Sequence, residues 1–387
     1  MTDLSDQTST DPAAGLLPAG LRDVLPPRAD VESATTERLM ASFAAWGYRR
    51  VKPPLVEYED TLLAGPGHAL AGQTFRFMDT ASQRMLGVRP DITLQVARIA
   101  GTRLAHEPRP LRLSYAGQVL RTRGGQLRPE RQFAQAGFEL IGSAAAAADL
   151  EVALLATEAV SALGIKALSL DVTNPLLVPA LCEGLGLAAA TARAARLALD
   201  HKDAAALREA VGRGREADVL AALLDVGPSR TVLARLGTLD LPPRAAAMVA
   251  ELRGLCEGVA ASFPDLLVTL DLGEFRGFEY HTGISFSLFA RGVRGELGRG
   301  GRYLGSAGEP STGCTVYLDS IMRALPAGEP ERLLFLPFGT PRKVAGKLQA
   351  EGWKVVQGLE PVADAAAEAR RLGASHVLRD GAAHAVS

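Results

Sequence analysis

Hydrophobic positions set the first divisions of this chain. From about Ala29 to Trp46 they recur at helical spacing, with Leu39, Phe43 and Trp46 at i, i+4 and i+7, and Gly47 stands where such a helix would end. Tyr48 to Lys52 reads as a short strand, stopped by Pro53-Pro54. Thr74 to Met78 is strand-like, and Val88-Arg89-Pro90-Asp91-Ile92-Thr93 leads into a helix from about Asp91 to Leu104. Leu111 to Leu120 and Phe133 to Ile141 predict two strands joined by a Gly- and Arg-rich loop, Arg121 to Arg131. A helix over Asp149 to Leu163, ending at Gly164, and a strand over Ala167 to Val172 complete this first stretch, residues 17–174.

The pattern changes after Asn174-Pro175. Residues 175–262 read as almost wholly helical and rich in Ala, Leu and Arg, with breaks at Gly184-Leu185-Gly186, Gly212 to Gly214, Gly227-Pro228 and Pro242-Pro243. This predicts a helical insertion, and nothing in it suggests chemistry. Strands resume over residues 263–326, at Leu266 to Leu272, Gly283 to Ala290 and Thr312 to Leu318, with a Gly-rich connection from Gly292 to Gly305. Residues 331–387 alternate strand and helix (Leu333 to Leu336, Pro341 to Glu351, Lys354 to Val356, Pro361 to Leu372, His376 to Leu378), which predicts a small α/β domain. The polar residues 1–16 are expected to form a disordered tail.

Composition narrows the class. With 47% hydrophobic and 22% charged residues and a net charge of −1, the chain has no overall bias toward nucleic acid. Cys182, Cys256 and Cys314 are scattered and lack metal-ligand spacing, so neither a metal nor a disulfide framework is expected, and a reducing cytoplasm fits. No run approaches the roughly 20 apolar residues of a membrane span, and no signal-peptide core follows the polar start.

Candidate chemistry begins in Phe133 to Ile141. Alternation along a strand puts Gln135, Gly137 and Glu139 on one side, with the two polar residues roughly 13 Å apart and Gly137 clearing space between them. The result is a polar trough sized for a small zwitterion, although a sheet edge or solvent face would produce the same spacing.

Other segments give this one a context. Arg276-Gly277-Phe278-Glu279-Tyr280-His281-Thr282-Gly283 resembles the histidine-recognition motif of histidyl-tRNA synthetases, roughly Arg-Gly-Leu-Asp-Tyr-Tyr-Thr-Gly. Arg121 stands where class II synthetases carry their motif 2 arginine, and the spacing onward to Phe133 matches the histidyl enzymes without a gap. Asp91 matches the acidic residue of that family's Leu-Arg-Pro-Glu-Gly-Thr element, and the helix, strand and proline near the start resemble motif 1. Glu296 to Tyr303 lacks the ending of a phosphate loop and is similar to the family's Gly-Gly-Arg-Tyr hairpin, a turn or pocket wall. The implied fold class is α+β: a class II aminoacyl-tRNA synthetase-like antiparallel sheet core with flanking helices, a helical insertion and a small C-terminal α/β domain.

The resemblance also implies roles. Asp91, Thr93 and Gln135 would meet a bound histidine's ammonium and Arg276 its carboxylate; Glu139 would face an imidazole nitrogen, with Tyr280 and His281 closing the ring side. Arg121 completes this histidine-binding set, in which His281 replaces the family's second tyrosine. On the ATP side the chain departs from the enzymes. Arg123 stands in place of the motif 2 glutamate, and Ser320 in place of the motif 3 arginine that clamps the γ-phosphate. The C-terminal unit resembles the beginning of an anticodon-binding domain, but Glu351, Glu360, Asp364 and Glu368 offer no basic, aromatic surface for RNA.

A histidine pocket without ATP machinery resembles the regulatory-subunit family of ATP phosphoribosyltransferase. That family implies no catalytic residue, no cofactor and no metal in this chain, and L-histidine as its ligand. It implies a short-form ATP phosphoribosyltransferase catalytic subunit as partner, self-association as a dimer within a hetero-octamer, no tRNA and no membrane. A working histidyl-tRNA synthetase, or another histidine-binding class II relative, is the alternative.

Overall fold

The computed structural model describes residues 16–125, 128–274, 280–305, 308–326 and 332–386, in two compact units, Met1–Leu325 and Pro326–Ser387. In the first unit the chain runs through α1 (Arg28–Ala45), β1 (Arg49–Arg50), β2 (Val56–Tyr58), α2 (Glu59–Leu62), β3 (Arg76–Met78) and β4 (Met85–Val88). It continues through α3 (Thr93–Gly101), the long strands β5 (Leu111–Leu120) and β6 (Gln132–Ile141), α4 (Ala146–Ser161) and β7 (Leu168–Thr173). Residues 177–262 supply helices α5 (Leu177–Gly184), α6 (Ala189–Asp200), α7 (Ala204–Val211) and α8 (Arg215–Ala221), strand β8 (Gly227–Pro228), and helices α9 (Ser229–Leu236) and α10 (Pro243–Ser262). Strands β9 (Leu267–Leu270), β10 (His281–Ala290), β11 (Gly298–Leu304) and β12 (Pro310–Tyr317) follow, then α11 (Leu318–Ala324).

Nine strands form one sheet in the order β1-β5-β6-β12-β11-β10-β7-β9-β8, antiparallel except for the β1–β5 and β7–β9 pairs. A smaller antiparallel sheet holds β2-β4-β3. Alternation decides what each face of the main sheet does. Ala134, Ala136, Phe138 and Leu140 of β6 enter a core with Leu39 and Phe43 of α1 and Val152, Leu155 and Ala156 of α4. The Phe43 and Phe138 rings lie 4.7 Å apart, and both side chains are fully buried. Truncating Phe138 to alanine would therefore cost about 3–5 kcal/mol. Glu151 of α4 takes Arg112 through two bonds of 2.7 Å and accepts from Tyr48 at 2.9 Å, which ties the helix to β5. The other sheet face carries a smaller apolar cluster, with Ile92, Val96, Leu113, Val119 and Phe133, and beside it the polar site.

The sequence reading and the structure differ at three informative places. The stretch Gly292 to Gly305, expected to be a Gly-rich connection with a turn or pocket wall at Glu296 to Tyr303, contains β11 in the middle of the sheet. Its glycines are there for space: a Cβ on Gly300 would lie 2.5 Å from the Phe286 ring and 2.6 Å from the Gly313 carbonyl oxygen. Gly227-Pro228, expected only to break helices, forms β8 and pairs with Leu270 and Thr269 at the sheet edge. The strand expected over Tyr48 to Lys52 is shorter, Arg49–Arg50 with one further bond from the Val51 N–H to the Ser114 carbonyl at 2.8 Å, because Pro53-Pro54 cannot continue the ladder.

The second unit contains β13 (Leu333–Leu336), α12 (Arg342–Ala350), β14 (Lys354–Gln357), α13 (Ala365–Arg371), β15 (His376–Arg379) and β16 (Ala382–Ala385). Its sheet order is β14-β13-β15-β16, with only β16 antiparallel to its neighbour. Leu334, Phe335 and Leu336 of the central strand are fully buried. The Asp364 carboxylate caps α13 by accepting from the Ala366 and Ala367 amides at 2.8 and 3.1 Å, which holds its pKa below the usual value. Among the described residues no helix is long and apolar enough to cross a membrane.

Candidate functional site

Register brings the candidate residues together on one sheet face. Gln135 pairs with Gly117 and Tyr317, Gly137 with Tyr115 and Thr315, and Glu139 with Leu113 and Gly313. On the next strand Gly301 lies opposite Gly313, and Tyr303 opposite Ser311. Tyr303 in turn pairs with His281 at the start of β10. All of these odd-numbered side chains share one face, since the period of a strand is two.

The segment before α3 closes over this face. Arg89 is anchored by donating to the carbonyls of Gln118 and Pro53 at 2.8 and 3.0 Å, and it fits only because Gly117 leaves room, a Cβ there lying 2.3 Å from the guanidinium. Asp91 is thereby set against β6. Its carboxylate accepts from the Gln135 amide at 2.9 Å and from the Thr93 backbone N–H at 2.8 Å, while the Ile92 N–H donates to the Gln135 carboxamide oxygen at 3.2 Å. The Thr93 hydroxyl lies 2.9 Å from the Tyr115 phenol, which is 2.7 Å from the Thr315 hydroxyl and donates to Glu139 Oε1 at 3.1 Å. Tyr303 donates to Glu139 Oε2 at 2.8 Å. One network thus runs from Asp91 to Tyr303.

Glu139 is 1% exposed and Gln135 fully buried, so the pair is neither a sheet edge nor a solvent face. Nor is it an open trough. A Cβ on Gly137 would lie 2.4 Å from the Tyr115 hydroxyl, so the glycine makes room for that phenol rather than for a ligand between Gln135 and Glu139. Gly313 is equally constrained, since a Cβ there would meet Glu139 Oε2 at 1.6 Å. Burial pushes the Glu139 carboxyl from its ordinary value up to about 8, against the opposing pull of its two phenol donors. The same burial, with the carboxylate alongside, drives the Tyr115 and Tyr303 phenols well above their usual range.

In front of this network lies a cavity of about 550 Å³ lined by Asp91, Thr93, Arg121, Arg299, Tyr280 and Tyr303, among others. Of the predicted residues, Asp91, Thr93, Arg121 and Tyr280 reach it directly, while Gln135, Glu139 and His281 form the buried layer behind. His281 is 4% exposed, stacks on Tyr280 with ring centroids 4.1 Å apart, and sits where a Cβ on Gly301 would touch it at 2.7 Å. Arg276 lies outside the described residues. Sequence reasoning missed Tyr115 and Thr315, and it reached Arg299 and Tyr303 only as part of a run read as a turn or pocket wall. Parity along Leu111 to Leu120 was the signal for Tyr115, while the other three depended on knowing that β11 and β12 are neighbours.

A second cavity, about 760 Å³, adjoins the first and shares Arg121 and Arg128 with it; Arg123, Glu130 and Phe133 complete its character. Arg128 is folded onto this wall, 3.7 Å from the Tyr317 ring centroid and 5.0 Å from that of Phe133, with its Nε donating to Asp319 at 3.2 Å. Ser320 is fully buried and accepts from Arg323 at 3.0 Å. Arg323 also reaches Asp319 and Glu130, at 3.3 and 3.4 Å. The position expected for a phosphate-clamping cation is thus a buried hydroxyl, and the aromatic wall beside it is covered by the chain's own guanidinium.

Comparisons with known proteins agree with this geometry. Residues 20–321 match a family model described as "Histidyl-tRNA synthetase". The chain is similar to the "ATP phosphoribosyltransferase regulatory subunit" of Paramagnetospirillum magneticum, 54% identical over 94% of this chain and 96% of the relative. It is also similar to the protein of the same description in Rhodospirillum centenum, 53% identical over 96% of each chain. Among solved structures, one from Bacillus halodurans described as "an ATP phosphoribosyltransferase regulatory subunit/histidyl-tRNA synthetase" superposes with a TM-score of 0.78 at 26% identity, covering 93% of this chain and 97% of its own.

Proposed function

This chain belongs to the histidyl-tRNA synthetase-like family of ATP phosphoribosyltransferase regulatory subunits, and from that premise we propose that it is required for the activity of a separate, short catalytic subunit and conveys histidine feedback inhibition. The reaction it serves is the first step of L-histidine biosynthesis, in the cytoplasm, and its assembly is a dimer of this chain within a hetero-octamer. No tRNA takes part.

One observation supports this reading above the rest: a buried polar network lies beside a second cavity, and the position expected to clamp a phosphate is the buried, uncharged hydroxyl of Ser320. A zwitterion needs an anionic partner for its ammonium, which the Asp91 carboxylate beside Thr93 and Gln135 offers. An imidazole needs a polar partner in a confined space, which Tyr303 at the cavity wall offers with Glu139 held behind it. Burial pushes the Glu139 carboxyl up to about 8, so this layer holds its proton at neutral pH and stands without a net buried charge. Losing the phosphate-clamping arginine removes a charge-assisted contact worth about 1.5–3 kcal/mol, before any contribution to a transition state.

Feedback requires histidine to bind two states of the complex unequally. The test is reconstitution: the short phosphoribosyltransferase from the same organism is assayed alone and with this chain, with and without histidine. Activity should depend on the chain, and histidine should suppress it. Full activity of the catalytic subunit alone, or activity indifferent to histidine, would overturn the proposal.

A further inference from the structure

We infer that the 760 Å³ cavity is a binding site for a base-free oligophosphate, held by Arg121, Arg123 and Arg128. The site is separate from the proposed histidine pocket, although Arg121 and Arg128 stand at the seam between the two cavities.

The arginines come from the loop between β5 and β6, and that loop is tied down. The Arg121 N–H donates to the Arg131 carbonyl at 2.8 Å, and the Gly125 N–H to the Arg128 carbonyl at 2.7 Å. Its two arms run so close together that a Cβ on Gly124 would lie 2.3 Å from the Pro129 carbonyl oxygen. Thr122 fastens the loop to another part of the cavity wall. Its N–H donates to the Gln73 carbonyl at 2.9 Å and its hydroxyl to that of Gly72 at 3.0 Å.

Three guanidiniums on this frame keep donors for a ligand. Each guanidinium carries five N–H donors. The Arg121 side chain donates its Nε to the Pro90 carbonyl, and that of Arg128 its Nε to Asp319, both at 3.2 Å. Arg123 has no hydrogen-bond or ion-pair partner among the described residues. Carboxylates nearby do not cancel the charge. Glu130, on the cavity wall, faces Arg323 at 3.4 Å and Arg22 at 3.7 Å, while Asp319 is shared by Arg128 and Arg323. Five guanidiniums thus surround two carboxylates among the described residues here, an excess that suits a multiply charged anion.

The same wall is unsuited to a purine. Arg123 can only donate, whereas an adenine amino group needs an acceptor. The Phe133 ring already has the Arg121 and Arg128 guanidiniums 5.2 and 5.0 Å from its centroid, and Arg128 lies 3.7 Å from that of Tyr317. Attraction to these rings helps hold the cations in place and leaves no bare aromatic face for a base. The cavity therefore reads phosphate charge without reading a nucleoside.

Calorimetry on the full chain, with inorganic diphosphate, inorganic triphosphate, ATP and adenosine, tests this. Both inorganic anions should bind, ATP should bind no tighter than triphosphate, and adenosine should not bind. Arg123→Ala should weaken triphosphate by about tenfold, the low end for a charge-assisted contact, and Arg123→Glu should abolish it, each with an unchanged circular dichroism spectrum. Arg230→Ala, an exposed arginine on α9, should change nothing. Three results overturn the inference: neither inorganic anion binds, ATP binds tenfold or more tighter than triphosphate, or Arg123→Ala has no more effect than Arg230→Ala.

Discussion

Replacing Glu139 with glutamine removes one titratable group while keeping the shape of the side chain. In the folded protein this carboxyl titrates at about 8, chiefly because burial penalises its charge and secondarily because the Asp91 carboxylate is near. In the unfolded chain it returns to its ordinary 4.5. Between those two values the folded state holds a proton that the unfolded state has released. Wild-type stability is therefore greatest below the unfolded pKa and falls as pH rises toward 8, by up to about tenfold in the folding constant per pH unit. Glutamine has no such slope. The phenols that face it from other elements, Tyr115 on β5 and Tyr303 on β11, both titrate above this window, so they stay neutral through it. Urea unfolding of both proteins from pH 5 to 8 gives the difference between them, in which other carboxylates cancel. Glu139→Gln should gain on the wild type as pH rises, by at most about 4 kcal/mol across that range. A difference that stays flat with pH would refute the placement of Glu139 as a buried, proton-holding group.

Glu139→Ala, and separately Arg276→Ala, should each weaken histidine binding tenfold or more with the fold intact by circular dichroism; unchanged affinity in both by calorimetry would remove the pocket assignment. Gly313→Ala places a methyl group 1.6 Å from Glu139 Oε2, so it should lower the melting temperature and abolish histidine binding. Gly254→Ala, in α10 with nothing within 4 Å of the added carbon, should raise stability by about 0.5–1 kcal/mol. Histidine-dependent ATP–pyrophosphate exchange should be undetectable in the purified chain, and Ser320→Arg should destabilise it without restoring exchange, because position 320 is fully buried beside Arg323. Exchange activity in the wild-type chain would revive the synthetase alternative.

Much of the sheet was legible because period-two alternation is a local signal. Leu111 to Leu120 and Phe133 to Ile141 fall on β5 and β6 almost residue for residue, and the side of Gln135 and Glu139 followed from parity. What parity cannot give is which strands are neighbours. Glu139 looked like one wall of an open trough because nothing in its own strand announces Tyr115 in front of Gly137 or Tyr303 two strands away. β11 was hidden for a related reason. Its glycines look like a loop in sequence, yet they serve as clearance for Phe286, Ser285 and His281 on the adjoining strand. The motif carrying Tyr280 and His281 was recognisable by its order of residue types, while the stacking of those two rings became visible only in three dimensions.

The glycines of this sheet carry a further consequence. At Gly137, Gly301 and Gly313 the pocket is shaped by atoms that are missing, because each vacancy is filled by a buried side chain from a neighbouring strand. A pocket defined by vacancies has an asymmetric mutational landscape. Almost any substitution at these positions closes it, and no single change enlarges it, because there is nothing left to remove. Such a site is lost in one step and retuned only through the side chains that occupy the vacancies. The cavity's chemistry is therefore adjustable at residues such as His281 and Tyr115, while its outline is fixed by the backbone.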